Sequence, residues 1–301
     1  MRKFFVSTDS TADLYVEEVK SLGVGFLPLT LTIERNGKIE LLPDAFKTKQ
    51  EYADFFDLLR HAVPAKTSMN NVDVHYDYFM GLAKEGHKKV LHFTISYGLA
   101  PTMDGANKAA EMVKEKSPDF ELTVVESHTT TIGQGFLVKE ACRMRDEDST
   151  LEQTRDYVND LKVHIQHFII VDDLNHLKRG GRVSGAAAAI GTLAQLKIVL
   201  NFDRDGKLQV IKKVMGGRKK AIKTVVDEFA NFTTDRPDCH CFVGHTDNES
   251  AANDLAGALQ RAYGIDTEIR TVGPTIGCHL GPGAVAYIFV SKELRPVLGK
   301  N

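Results

Sequence analysis

The order of the apolar runs constrains this chain more than any other feature. Through the first 150 residues, short apolar runs of strand length alternate with longer segments of helical spacing. "KFFVST" reads as a buried strand and "TADLYVEEVKSLG" as a helix. "VGFLPLTLTIERNGKIEL" follows, with Asn36-Gly37 marking a hairpin turn. "TKQEYADFFDLLRHA" and "VDVHYDYFMGLAKEG" have helical spacing, and "AKTSMNN" between them reads as a polar loop. Strand "KKVLHFTI", helix "PTMDGANKAAEMVKEKS", strand "FELTVVE" and helix "TIGQGFLVKEACRMRD" continue the alternation. Such alternation implies a parallel sheet with helices on both faces.

The second half mixes hairpin and crossover elements. "STLEQTRDYVNDLKVHI" reads as a connecting helix, with Ser149 and Glu152 spaced as a capping box. Strand "HFIIVDD" precedes a glycine-broken, alanine-rich helical region, "LNHLKRGGRVSGAAAAIGTLAQL". "KIVLNFDRDGKLQVIKKV" reads as two strands around Asp205-Gly206, and further helices and strands close the chain. The expected fold class is therefore α/β with two domains. Residues 1–160 form an N-terminal parallel-sheet α/β domain, and residues 161–301 a C-terminal α+β domain with a mixed sheet. The length of 301 residues suits two domains.

Charge narrows the function. Lys plus Arg is 38 against 40 for Asp plus Glu, a formal net charge of -2. That balance argues against nucleic acid, or a strongly anionic membrane surface, as the main partner. No apolar run approaches the length of a membrane span, and the N-terminus turns polar too early for a signal peptide. A cytoplasmic chain is expected, with a transient membrane contact left open. The cysteines Cys142, Cys239, Cys241 and Cys278 form no paired zinc frame. In a strand, Cys239 and Cys241 would face one side and His240 the other, a poor chelate. No metal and no cofactor are expected.

Polar groups collect where the strands end. In open α/β sheets ligands sit outside the carboxyl ends of the strands. Those ends read "STDST" (Ser7 to Thr11), "SYGLAPT" (Ser96 to Thr102) and "SHTTT" (Ser127 to Thr131), and the "KTSMNN" loop adds Thr67 and Ser68. Hydroxyls and exposed amides at helix N-termini suit a carboxylate or phosphate. The same residue types are also the preferred helix N-caps and need no ligand. The basic run "KRGGR" (Lys178 to Arg182) offers an anion contact or a solvated face, and "GGRKK" (Gly216 to Lys220) reads as a helix start. His164 and His167, near a helix end, read as caps or solvent-facing groups. Near the C-terminus "TVGPTIGCHLGPG" concentrates glycines around His279. It reads as a turn or as backbone shaped to present that histidine.

Five blocks in order resemble the DegV family of bacterial lipid-binding proteins, with their EDD fold. They are "STDSTADL", "KTS" at 66–68, "IS-GL" around Ser96, "VDDLNHLKRGGRVSGAAAAIGTLAQLKIVLNFDRDGKL" and "GPTIGCHLGPGA". The resemblance spans essentially the whole chain. It implies a two-domain carrier that holds a long-chain fatty acid between its domains and is not itself an enzyme. It further implies delivery of that ligand to a separate ATP-dependent fatty acid kinase. Carried over by position, Thr67 hydrogen-bonds the carboxylate, and Ser68 and Ser96 lie in the head-group loops. Arg182 closes the "GGR" block, and His279 stands at the carboxylate or a partner-facing surface. The chain departs from the pattern twice. It has Met69-Asn70 where the family reads Q-P, and Ala100-Pro101-Thr102 where the family reads S-G-T. Ala100 therefore sits at a ligand-binding position without its hydroxyl, which leaves another amphiphilic acid open as ligand. A different class of reading is a hydrolase or transferase acting on an acyl or phosphoryl ester with His279 as base; no G-x-S-x-G elbow supports it.

Overall fold

The computed structural model describes residues 2–35, 37–172, 174–182, 195–232 and 241–297. The "SGAAAAIGTLAQL" helical reading, apart from its last two residues, and the Cys239-His240 pair lie outside the described residues. The chain divides into two compact units: Met1–Lys47 with Lys66–Lys162, and Thr48–Ala65 with Val163–Asn301.

The first unit holds β1 (Phe5–Asp9), α1 (Val16–Leu22), β2 (Gly25–Leu27), β3 (Thr30–Arg35) and β4 (Lys38–Pro43). After the excursion of α2 (Lys49–Arg60) into the second unit come β5 (Ala65–Ser68), α3 (Val72–Lys84), β6 (Lys89–Thr94) and α4 (Thr102–Lys116). Then follow β7 (Glu121–Glu126), α5 (Thr131–Asp146) and α6 (Leu151–Leu161). Four strands form an all-parallel sheet in the order β2-β1-β6-β7. A strand covered on both faces reads as a nearly continuous apolar run, and β6 is buried from Val90 to Thr94 with only His92 and Thr94 polar among those residues. On α3 the residues His75, Phe79 and Leu82, and on α4 Thr102, Ala106, Ala109 and Val113, recur at helical spacing and are buried. With Val90 and Phe120 their apolar members close one core cluster.

The second unit adds β8 (Ile165–Val171), α7 (Leu174–Gly180), β9 (Leu196–Phe202), β10 (Leu208–Met215) and α8 (Gly217–Phe229). Beyond these lie β11 (Phe242–His245), α9 (Glu249–Tyr263), β12 (Glu268–Thr271), α10 (Pro274–Leu280) and β13 (Val285–Val290). Its mixed six-stranded sheet runs β10-β9-β8-β13-β11-β12, and within it β11 and β12 pair in parallel. Phe168, Phe229, Tyr287 and Phe289 form an edge-to-face aromatic core, with Tyr287 stacked on Phe289.

Four sequence expectations change. "AKTS" is no loop: β5 pairs at the side of β3, opposite β4, in a three-stranded sheet. Its single alternating turn of polarity is too short to read as a strand alone. The capping box of α6 is Thr150 with Gln153, one residue later than expected. Thr150 Oγ1 accepts from the Gln153 amide at 3.2 Å, and Gln153 Oε1 accepts from the Thr150 amide at 2.9 Å. His167 is no cap; it is buried inside β8. The glycine-rich stretch is largely helical. Pro274 opens α10, where its missing N–H costs nothing.

Two glycines separate conformational from steric roles. A Cβ on Gly81, inside α3, would meet nothing within 4 Å, whereas a Cβ on Gly277, inside α10, would lie 2.7 Å from the Phe56 ring. Gly81→Ala should therefore stabilise the chain by up to about 1 kcal/mol. Gly277→Ala should destabilise it by about 1–3 kcal/mol through overpacking. Chemical denaturation of both variants checks the opposite signs.

Candidate functional site

The strand ends of the first unit are organised around a carboxylate. Asp9 is fully buried at the end of β1. Its Oδ1 accepts from the Thr11 amide (3.0 Å), the Thr11 hydroxyl (2.5 Å) and Gln134 Nε2 (2.9 Å). Its Oδ2 accepts from the Ile95 amide at 3.0 Å, just past β6. Burial raises its pKa, and the Thr11, Ile95 and Gln134 donors oppose that rise. Ser127 Oγ donates to the Thr129 carbonyl at 2.8 Å. Many hydroxyls of "STDST" and "SHTTT" are thus held inside the unit, as turn and cap chemistry.

The loop after β6 has its own anchor. Glu126 accepts from the Tyr97 amide at 2.6 Å and from Ser96 Oγ at 3.4 Å, and it pairs with His128 at 3.2 Å. Burial pushes Glu126 up, but His128, the Tyr97 amide and Lys162 together hold it below the usual carboxylate range. Ser96 is fully buried; its carbonyl accepts from the Ala100 amide at 3.2 Å. Ser96 and Ala100 therefore share one tight loop. Thr67 and Ser68 share β5, with Thr67 half-buried and Ser68 exposed. Between β7 and α5, His128 in the loop and Thr131 at the start of the helix hold left-handed φ angles of 52° and 53°. Strain of that kind in non-glycine residues collects at functional loops.

Behind these loops lies a polar patch that sequence reading missed. Ser7 Oγ and His92 Nδ1 lie 2.7 Å apart, and His75 Nδ1 donates to the Asn71 carbonyl at 2.9 Å. His75 Nε2, His92 Nε2, Thr94 Oγ1 and Thr102 Oγ1 are buried with no hydrogen-bond partner among the described residues. The signal available in sequence was His92 and Thr94 two apart on one face of an otherwise apolar strand.

In the second unit, α10 and α7 approach through glycines. A Cβ on Gly180 would lie 3.0 Å from His279 Nδ1, and one on Gly281 would lie 2.6 Å from the His176 ring. Gly281 and Gly283 also hold φ of 73° and 97°, which favours glycine. The glycines of "GGR" and "GCHLGPG" thus let the two blocks close on each other. Arg182 Nη1 donates to the Gly180 carbonyl at 2.5 Å. Burial, then the Arg182 charge, lowers His279 to about 4, so its imidazole is neutral near pH 7. Arg182 and His279 are brought together; so are Ser96 and Ala100, and Thr67 and Ser68. Sequence reading also missed Asp172, which pairs with Lys197 at 3.0 Å and with Arg218. A cleft of about 480 Å³ opens beside it, lined by Arg60, His176, Arg218, Asp247 and Gly283 among others. Arg60 and Asp247 pair across it at 2.5 Å. Among the described residues no group of three or more His, Cys, Asp or Glu side chains could hold a metal ion. No described helix is long and apolar enough to cross a membrane.

These features find their counterpart among known proteins. The family model described as "Uncharacterised protein, DegV family" matches residues 3–292, and the chain belongs to the DegV family. A DegV domain-containing protein of Clostridium perfringens is 31% identical over 297 residues, covering 98% of this chain and 100% of that protein. The solved structure of a fatty acid binding DegV family protein from Streptococcus agalactiae is 30% identical, with a TM-score of 0.80. The match covers 97% of this chain and 100% of that one. A DegV family protein from Thermus thermophilus, solved in connection with fatty acid binding, is 26% identical with a TM-score of 0.83 and the same coverage.

The buried histidine gives a pH prediction. Burial, then the neighbouring His75, lowers His92 from 6.5 to about 3. The unfolded chain binds that proton more readily, so stability present above the ordinary histidine pKa is lost as pH falls from 6.5 towards about 3. His92→Gln should flatten this acid slope. Denaturant midpoints measured across that range report it.

Proposed function

We propose that this chain binds a long-chain fatty acid and presents its carboxylate to an ATP-dependent fatty acid kinase, acting as a carrier and not as a catalyst. The observation that carries the reading is its full-length similarity to the Streptococcus agalactiae protein, described as fatty acid binding. Energetics support a tail-dominated ligand. Burial contributes about 0.8 kcal/mol per methylene, so about a dozen methylenes supply on the order of 10 kcal/mol before ordering costs. A single hydrogen bond to a charged head group is worth about 1.5–3 kcal/mol. The tail sets affinity, and the head group sets orientation.

Thr67, Ser68 and Ser96 are the proposed carboxylate contacts of the N-terminal domain (residues 1–160), with Ala100 at a ligand-binding position that lacks a hydroxyl. Arg182 and the neutral imidazole of His279 are those of the C-terminal domain (residues 161–301), which carries the lipid-binding role. A neutral imidazole can donate from one nitrogen to a carboxylate without forming a buried ion pair. The protein is read as cytoplasmic and cofactor-free.

Lipid extraction of the purified protein followed by mass spectrometry tests the reading. A stoichiometric acyl carboxylate is expected; no co-purified acyl species together with no binding of added fatty acid would sink it. Thr67→Val should weaken fatty acid binding by about tenfold or more, and Ala100→Ser should tighten it by a similar factor. Titration with a fluorescent fatty acid reads both. ATP-dependent acyl phosphate formation on the loaded protein, with a fatty acid kinase added, tests the partner.

A further inference from the structure

The β3–β4 hairpin carries an open edge. β4 is the outer strand of the sheet ordered β4-β3-β5. Arg35 is paired with Lys38, so residues 36–37 make a two-residue connection. In so tight a hairpin the closing pair exchanges both backbone bonds, and the pattern alternates from there. Lys38, Glu40 and Leu42 thus turn their amides and carbonyls towards β3. Ile39 and Leu41 turn theirs outward. Their side chains are exposed as well, at 70% and 67%. Nearly the whole strand is exposed. Unpaired backbone groups beside apolar side chains form a template for one more strand.

We propose that the occupant of this edge is β4 of a second copy of this chain, added antiparallel. A two-fold axis normal to the sheet keeps each side chain on its own face. Ile39, Glu40 or Leu41 then falls opposite its own counterpart; centring on Leu41 faces Ile39 with Pro43, which has no N–H to donate, and forgoes ladder bonds. Centring on Glu40 would set two carboxylates face to face, which is destabilising. Centring on Ile39 sets Lys38 opposite Glu40 twice. It also relieves a like-charge contact within each copy, where Lys38 already lies opposite Arg35. The hairpin's charges, Glu34, Arg35, Lys38 and Glu40, cancel, so two copies meet without net repulsion. The same balance offers no attraction to an anionic lipid surface. Two six-residue strands bury less than the roughly 1,200 Å² of stable interfaces, so the dimer is weak and concentration-dependent.

Sedimentation velocity from about 10 μM to about 1 mM reads the association. The wild type should shift from monomer to dimer over that range. Ile39→Pro removes an outward amide and leaves the β3 ladder whole, so it and Leu41→Lys should stay monomeric at unchanged thermal stability. Lys38→Glu should stay monomeric too, while the double variant Lys38→Glu/Glu40→Lys should dimerise again. Amide exchange at Ile39 and Leu41, whose amides face outward, should slow as concentration rises. A wild type that is monomeric throughout overturns the proposal, as does a dimer unaffected by Ile39→Pro and Leu41→Lys.

Discussion

A carboxylate removed from water must be met by donors or it unmakes the fold around it. Asp9 meets four: Thr11 twice, Gln134 on α5 and the Ile95 amide beyond β6. One side chain thereby ties the ends of two neighbouring parallel strands to the helix that follows β7. The loop that carries Ser96 and Ala100 starts from this knot. Glu126 repeats the device one strand further along. In this unit the strand ends are held together by buried acceptors, and the hydroxyls counted from sequence divide into those that serve this frame and those that stand outside it.

That division marks the limit of what the sequence makes legible. Alternation of strand and helix patterns and turn chemistry were enough for the parallel sheet, the β3–β4 hairpin and the β9–β10 pair, because period and turn chemistry are local. β5 was missed because four residues with no apolar stripe become a strand only when β3 offers an edge. The shift of the α6 cap from Ser149 to Thr150 turns on one residue, below what spacing alone resolves. Asp9 and Asp172 are strand-end acids like many others; their importance appears once their partners, distant in sequence, are in place.

Glycine placement shows the same contrast. From sequence the run around His279 read as a turn or as backbone shaped to present it; in the structure most of it is helix α10, and its glycines serve close approach as well as positive φ. Gly180 lies under His279, Gly281 under His176 and Gly277 under Phe56. His279, which the family resemblance singled out, is thus seated on a position that has no side chain. This explains why "GGR" and "GCHLGPG" belong together: each is the relief cut for the other.

The excursion of α2 has a consequence for synthesis. The chain passes from the first unit to the second at residue 48, returns near residue 65 and leaves again after residue 162. Phe56 on α2 finds its glycine at position 277, almost at the other end of the chain. On the ribosome α2 emerges long before α10 exists to cover it, so its apolar face must wait exposed through most of translation. The second unit can close only after α10 and β13 have been made. A nascent chain halted midway would carry an orphan helix, a natural handle for a chaperone.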